Sequence, residues 1–197
     1  MPDLPTRAKR ERELAAAILV LFRAHRDDWR DDAFRQRLAD LFRERLAGVY
    51  GDAARHMAAA ERWGFDLGHV DVLADSWADR TSLGLAGDIV TSTVKKLAAG
   101  IDPDAVFSAE RAGSIAATET TRAVSAGELG ILALAAELLD GEDGRRDRVW
   151  RTSEDGAVCP VCAPLNRKSE DSWRHAFPDG PPAHPNCRCF LQYRKRP

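Results

Sequence analysis

Long hydrophobic runs are missing from this sequence of 197 residues. No stretch approaches the roughly 18 to 20 apolar residues that a membrane-spanning helix needs, so the sequence predicts a soluble protein. An excess of charge is also missing, because 29 basic residues face 31 acidic ones and leave a formal net charge of −2. Such a balance provides no overall field that would attract nucleic acid. The apolar content of 44% is ordinary for the core of a globular protein.

Cysteine is absent from the first 158 residues, and no secretory signal peptide is recognisable. Near the N-terminus Arg7, Lys9, Arg10 and Arg12 are followed by only a short apolar run that is flanked by charge. We therefore expect a reducing compartment, in which disulfides are disfavoured. Metal binding then explains the cysteines better than two disulfides, or than buried thiols that serve as small apolar side chains.

Motifs of several enzyme classes are absent as well, including G-x-S-x-G, H-E-x-x-H and the P-loop. A zinc deaminase requires H-x-E and P-C-x-x-C, whereas no histidine begins H-x-E here and Val158 precedes Cys159. The best enzyme alternative is a metal-dependent nuclease of the His-Asn-His type, because His184-Pro-Asn186 follows a C-x-x-C pair. Such a nuclease needs a second metal-binding histidine, and only His175 is near. We therefore predict a protein that is not an enzyme.

The cysteines that are present fall into two clusters near the C-terminus. Cys159 and Cys162 form a C-x-x-C knuckle, and His184, Cys187 and Cys189 form H-P-N-C-R-C further along. Zinc takes four thiolate or imidazole ligands in tetrahedral geometry, usually supplied as short-range pairs. The second pair is either His184 with Cys187 or Cys187 with Cys189, and the spacing does not decide between them. The sequence therefore predicts a structural zinc ion held by four of these five side chains.

Apolar residues recur at helical spacing before these clusters. The pattern predicts a helix over about residues 6–30 and a second one that begins after Asp31 and Asp32 and stops near Gly48 to Gly51. The first two helices are expected to pair as a hairpin. A short Ala-rich helix over 53–63 and a long helix over about 70–99 should follow.

Another helix is predicted to begin at Pro103 and to run to about Ala126. Gly127 should interrupt it before an apolar helix over 129–139, and the Gly- and Asp-containing segment 140–144 should mark an internal boundary.

Two short segments in the C-terminal part are strand candidates. Residues 148–152 and 188–193 are expected to pair, and the Pro-rich segment 178–185 between them excludes helix. The predicted fold class is therefore mainly α, with a helical N-terminal scaffold over residues 1–100 and a small C-terminal α+β Cys/His module over residues 148–193. Trp150 and Trp173 are expected to cover this module, which would bind the zinc ion.

Four sequence segments occur in a recognisable order. They are R-A-x-x-I-A-x-T-E-T from Arg111 to Thr120, W-R-T-x-x-D from Trp150 to Asp155, V-C-P-x-C, and P-P-A-H-P-N-C-R-C. In these segments the chain resembles the phage Mu F-like head-morphogenesis family of minor capsid proteins. The likeness is specific over about residues 98–191 and generic over the helical N-terminal half.

One position departs from the pattern of that family. After C-P-x-C the family commonly has a glycine before a basic residue, whereas this chain has Asn166 before Arg167. Asparagine also tolerates a left-handed backbone, so we expect Asn166 to make the turn.

The resemblance implies a Mu F-like domain over residues 101–197 in a minor head protein of a tailed phage or prophage. Such proteins bind at the portal vertex during procapsid assembly and are thought to influence DNA packaging or delivery. The implied partners are the portal protein and other capsid proteins, and the implied locations are the virion and, during assembly, the host cytoplasm. No membrane contact is expected. The basic segment from Tyr193 to Arg196 is a candidate contact for phage DNA or an acidic partner.

An adaptor that is joined to a toxin is a third possibility. The chain stops at Pro197, so we expect no appended catalytic domain and no toxicity on expression.

Four charged residues near these motifs are candidate structural or partner-binding positions. Arg111 and Glu119 lie eight residues apart on roughly the same helix face and would brace the Cys-rich module or bind a partner, unless they are ordinary solvated side chains. Asp155 lies four residues before Cys159 and would orient amides of the knuckle or a ligand, or act as an ordinary turn carboxylate. For Arg188 we predict a structural salt bridge to Glu119 or Asp155 rather than a phosphate contact.

Overall fold

Five helices precede two short strands in the part of the chain that the computed structural model describes, namely residues 4–64, 66–139, 146–153 and 158–195. In chain order they are α1 (Arg7–Ala24), α2 (Asp32–Glu61), α3 (Gly68–Ala98), α4 (Pro103–Val106), α5 (Ala109–Leu138), β1 (Arg146–Arg151) and β2 (Phe190–Lys195). The strands pair antiparallel, with Val149 opposite Gln192. The predicted fold class, mainly α with a small C-terminal α+β Cys/His module, is confirmed.

The first two helices form the expected hairpin. Arg10 near the start of α1 contacts Asp52 far along α2 at 2.9 Å, and the rings of Phe22 and Phe34 lie 6.4 Å apart near the connection. The predicted stop of α2 near Gly48 to Gly51 is wrong, because α2 continues to Glu61 and includes the predicted Ala-rich helix. Gly48 makes room for the guanidinium of Arg10, which would lie only 3.4 Å from an added Cβ.

The predicted continuous helix from Pro103 to Ala126 is also wrong, because the chain breaks after Phe107. Ser108 is extended and its hydroxyl accepts a hydrogen bond from the backbone N–H of Arg111 at 3.2 Å. A serine in this position satisfies a backbone donor that would otherwise lack an intrahelical partner. The segment therefore divides into the single turn of α4 and a new helix, α5.

Gly127 does not interrupt α5, contrary to prediction. A Cβ atom on Gly127 would overlap the backbone of Tyr50 in α2, and one on Gly130 would overlap the hydroxyl group of the same tyrosine. Glycine therefore allows α5 to approach α2 closely, while the helix continues without a break to Leu138. These two positions are glycines because the helices pack closely there, and not because the helix ends.

Apolar residues form three buried clusters. The first combines α1, α2 and α3 with Val106 and the first half of α5, and the second surrounds Tyr50, Met57, Val70 and Ile131. The first cluster therefore contains residues from both sides of the predicted domain boundary at residue 100, and that boundary stays a prediction. The third cluster belongs to the C-terminal module and includes three of its cysteines.

Some predicted features lie outside the described residues. They are the boundary segment 140–144, Asp155 and Arg196. Among the described helices, none is long and apolar enough to cross a membrane.

Candidate metal centre

The C-x-x-C knuckle is a tight turn that directs two thiols to one side. The N–H groups of Cys162 and Ala163 both donate to the carbonyl oxygen of Cys159, at 3.1 and 3.0 Å. The N–H of Cys162 also lies 3.3 Å from the Cys159 sulfur, so the backbone provides a donor for a thiolate at that position. The knuckle then continues into a short 3-10 turn, Ala163–Leu165.

The H-P-N-C segment forms a second tight turn. The N–H of Cys187 donates to the carbonyl of His184 at 3.2 Å, and Asn186 has a positive φ of 61°. Pro185 precedes it, and proline followed by a residue with positive φ is the signature of a type II turn. The turn places His184 and Cys187 side by side.

The two turns meet, and their sulfur and nitrogen atoms converge. His184 Nε2 lies 2.9 Å from the Cys159 sulfur and 3.2 Å from the Cys162 sulfur, and the sulfur atoms of Cys162 and Cys187 are 3.9 Å apart. The donors form two groups, Cys159–Cys162–His184 and Cys162–Cys187–Cys189, and within each group all donor atoms lie within 4.8 Å of one another. Cys162 belongs to both groups. Each group can hold a metal ion.

The cysteines are free thiols and not disulfides. The 3.9 Å between the sulfur atoms of Cys162 and Cys187 is almost twice the roughly 2.05 Å of a disulfide bond. The disulfide alternative raised by the sequence is therefore not what the structure shows. Reduced sulfur atoms at this spacing are available as ligands.

His184 is held in the tautomer that suits metal binding. Its Nδ1 lies 2.7 Å from the carbonyl oxygen of Pro185, which can only accept, so Nδ1 carries the proton. In the neutral ring Nε2 is then the bare nitrogen, and it faces the cysteine sulfurs. A backbone carbonyl commonly fixes a metal-binding histidine in this way.

Mutual hydrogen bonding and burial give the three thiols of the second group different pKa values. The Cys189 thiol donates to the sulfur of Cys187 and lowers the pKa of Cys187 to about 5. Burial raises the pKa of Cys162 to about 12, and the hydrogen bond to Cys187 together with burial raises the pKa of Cys189. Because thiolates are the ligands, binding of a metal ion to this group must release protons.

Aromatic side chains cover the centre, as predicted for two of them. Trp150 and Trp173 are fully buried in the same cluster as Cys162, Cys187 and Cys189. The two indole rings meet edge to face at 5.5 Å, and Phe177 lies 5.4 Å from Trp150. This apolar cover limits solvent access to Cys162, Cys187 and Cys189, whereas Cys159 and His184 are only partly buried.

Two threonines of α5 hold the H-P-N-C turn against the helices. The N–H of Asn186 donates to the hydroxyl oxygen of Thr118 at 2.7 Å. The hydroxyl of Thr121 lies 2.7 Å from the carbonyl of Cys187 and 2.8 Å from that of Ala117, and shares its proton between them. Thr118 and Thr121 are three residues apart and both buried, so they point to the same side of α5.

Further contacts connect the module to the helices. Arg7 of α1 is buried and donates from Nη2 to the Thr121 hydroxyl oxygen at 2.7 Å. Arg146 of β1 forms an ion pair with Glu61 at the end of α2. The Tyr193 hydroxyl of β2 donates to Glu128 of α5 at 3.1 Å. The module is therefore tied directly to α2 and α5, while Arg7 of α1 reaches it through Thr121 of α5.

The structure places the candidate residues Arg111 and Glu119 in separate surroundings. Arg111 donates to the carbonyl oxygens of Val106 and Ile89 and to the Thr93 hydroxyl, so its described contacts join α5 to α3 and α4 and not to the Cys-rich module. Glu119 is buried and pairs with Arg122 at 2.9 Å. No described hydrogen bond joins Arg111 to Glu119.

Arg188 lies beside the donors, where it lines a pocket of about 140 Å³ together with Cys159, Cys162 and His184. Its predicted bridge to Glu119 is not among the described contacts, and Asp155 lies outside the described residues.

The expectation for the turn after the knuckle is wrong by one residue. Asn166 has a φ of −56°, and Arg167 adopts the left-handed conformation with a φ of 63°. The Asn166 side chain instead accepts a hydrogen bond from the N–H of Thr152 at 3.3 Å.

The sequence reasoning missed the residues that fasten the centre, namely Arg7, Thr118 and Thr121. A threonine pair at a spacing of three in an otherwise Ala-rich helix was the available signal, because buried hydroxyls need partners. The five predicted donors are all brought together, and their arrangement can hold a metal ion. Comparison with protein-family models, curated proteins and solved structures finds no match to this chain.

Proposed function

We propose that this chain is a non-enzymatic minor head protein of a tailed phage or prophage that associates with the portal protein during procapsid assembly and DNA packaging or delivery. One observation carries the proposal beyond the order of the sequence motifs. The T-E-T motif that ends at Thr120 and the P-P-A-H-P-N-C-R-C motif lie far apart in the chain, yet Thr118 binds the backbone of Asn186. Thr121, next to the first motif, binds that of Cys187. Because the two motifs are in direct contact, they support the proposal that both serve the same structural role.

The proposed metal ion is zinc in a structural role. Soft sulfur and imidazole donors favour zinc, and four of the five available donors would complete a tetrahedral site. Cys159, Cys162 and Cys187 are the proposed common ligands, with His184 or Cys189 as the fourth. When bound, the ion would crosslink the knuckle to the H-P-N-C turn. Helix α5, through Thr118 and Thr121, holds that turn in position.

The geometry favours this role over the His-Asn-His nuclease. In such a nuclease His184 would need a free ring nitrogen to act as a general base. Here Nδ1 lies against the Pro185 carbonyl and Nε2 faces the sulfur atoms of Cys159 and Cys162. Both nitrogen atoms are therefore engaged in holding the centre.

Co-expression with the portal protein of the same phage genome tests the proposal. Size-exclusion chromatography should show both proteins in one peak at a fixed ratio, with each protein expressed alone as the control. A portal that elutes without this chain would argue against the assembly role. Nuclease activity on supercoiled plasmid DNA and toxicity on expression are the assays that would then support the alternatives.

A further inference from the structure

A groove separates α3 from the C-terminal half of α5 and from the Pro-rich loop of the module. Its volume is about 710 Å³, which is within the range of roughly 300–1,000 Å³ that ligand sites occupy. The floor is apolar and includes Trp77 and Leu85 of α3, Leu129 of α5 and Phe177 of the module. The metal donors do not line it, so the groove is distinct from the metal centre.

The α3 wall of the groove has a regular pattern. Arg80, Gly84 and Asp88 occupy successive turns and line the groove at positions four residues apart. Arg80 and Asp88 are exposed and lie about 12 Å apart along the helix axis. Within the described parts of the chain, Arg80 bonds only to Ser76 and no ion pair involves Arg80 or Asp88. The wall therefore carries a positive end, a gap and a negative end.

Among the described residues, no close packing contact explains why position 84 is a glycine. It lies in the interior of a long helix, where glycine weakens the helix relative to alanine, and a Cβ atom added there would meet nothing within 4 Å. By contrast, Gly127 and Gly130 in α5 are required by close packing against Tyr50. A glycine that faces an open groove allows another backbone to approach closely.

We infer that this groove binds an amphipathic α-helix of a partner protein, which packs along α3 against Gly84. Its apolar face would cover Trp77, Leu85, Leu129 and Phe177. Its polar edge would place an acidic residue at Arg80 and a basic residue at Asp88. A helix in a groove is a common mode of recognition, read through apolar residues at spacings of three and four. Because the floor includes residues of both helices and module, the bound helix would also hold these parts together. This inference does not depend on the proposed capsid role.

A displayed library of helical peptides of about 16 residues, panned on the full zinc-loaded chain, provides the test. Enriched peptides should show helical apolar periodicity with one acidic and one basic position about two turns apart. Gly84→Trp should weaken their binding about tenfold or more in fluorescence anisotropy. Gly113→Trp is the matched control, because Gly113 is also a helix-interior glycine with nothing within 4 Å of an added Cβ. Circular dichroism should show that both variants fold.

A charge exchange makes the test specific. Arg80→Glu should weaken the binding of an enriched peptide. Replacement of that peptide's acidic residue by lysine should restore its binding to the variant. Three results would overturn the inference: peptides that lack helical periodicity, equal binding to the two tryptophan variants, or a chain that dimerises through the groove in sedimentation experiments and binds no peptide.

Discussion

The backbone N–H of Asn186 donates to the hydroxyl oxygen of Thr118 at 2.7 Å, so a helix side chain holds the turn that carries two candidate metal ligands. The same hydroxyl donates to the carbonyl of Ser114 at 2.7 Å, and both of its hydrogen-bonding functions are thus used. Together with the hydrogen bond from Thr121 to the Cys187 carbonyl, this contact holds the H-P-N-C turn against α5.

Thr118→Val should loosen the turn. Valine has nearly the shape of threonine but cannot accept the N–H of Asn186, and a part-buried donor that loses its partner costs up to about 1–3 kcal/mol. We expect that loss in the free energy of unfolding measured with urea, together with weaker metal binding. Thr81→Val is the control, since the Thr81 hydroxyl bonds only to its own helix at Trp77. Equal losses for both variants would show that the contact with Asn186 contributes nothing.

Zinc content and its removal test the metal centre. The purified protein should contain about one zinc per chain, and a chelator should abolish the near-ultraviolet circular dichroism of Trp150 and Trp173. A disulfide reductant alone should change neither, since the cysteines are free. Metal-free protein with two intact disulfides would contradict the assignment.

Single replacements should rank the donors. Cys162→Ser should cause the largest loss of zinc affinity, because Cys162 belongs to both donor groups. Comparison of His184→Ala with Cys189→Ser by metal titration should identify the fourth ligand, because the spare residue can be replaced with little loss. Affinity should also rise with pH, since ligand thiols must lose their protons. Equal, small effects at all five positions would argue against a single tetrahedral site.

Replacement of glycine by alanine should change the stability of the fold in opposite directions at two positions of α5. Gly127→Ala places a methyl group into the backbone of Tyr50 and should destabilise the fold by about 1–3 kcal/mol. Gly113→Ala meets nothing within 4 Å and should stabilise the helix by up to about 1 kcal/mol. Thermal unfolding of the two variants measures both effects. A tolerated Gly127→Ala would mean that α5 and α2 are not in close contact.

The buried carboxyl of Glu119 should make stability fall as the pH rises. Burial raises its pKa above the ordinary 4.5, and the neighbouring Arg122 lowers it only in part. The folded state therefore holds the proton more tightly than the unfolded state, so this group favours folding most below about 4.5. That contribution declines as the pH rises through the window up to the raised folded pKa.

Glu119→Gln should flatten this decline in urea unfolding curves recorded at a series of pH values. Glu110→Gln is the control, because Glu110 is exposed in the first turn of the same helix. Parallel pH profiles for the wild type and Glu119→Gln would rule out the burial of Glu119 as the cause.

The sequence was sufficient to group the five Cys/His side chains that the structure brings together, because the turns that carry them are local. The C-x-x-C turn appears as expected, and the structure shows a second turn over H-P-N-C, for which the spacing left two pairings open. The strands were also predictable, although β1 begins two residues before the predicted 148 and β2 two residues after the predicted 188. Apolar alternation indicates a strand better than it indicates the ends of one.

Contacts between distant segments could not be predicted in this way. Gly48 and Gly127 look like helix stops in a sequence, but tertiary neighbours decide their role, namely Arg10 for one and Tyr50 for the other. Arg111 was grouped with Glu119 by helical spacing, yet its partners lie on α3 and before α5. Spacing along one helix identifies the face of a side chain but not the element that it meets.

The hydrogen bonds from Arg7 to Thr121 and from Thr121 to Cys187 join residues that are 114 and 66 positions apart. Arg7 and Thr121 both precede the first cysteine, Cys159, so on a ribosome they are synthesised before any candidate sulfur ligand. The H-P-N-C turn, Cys189 and β2 follow later in the chain, so metal binding that needs them would be a late step in folding. We expect zinc pulse-labelling of arrested nascent chains to detect no binding until Cys187 has left the exit tunnel. Before Cys187 emerges, the nascent chain would present at most Cys159, Cys162 and His184, which is one ligand short of a tetrahedral set.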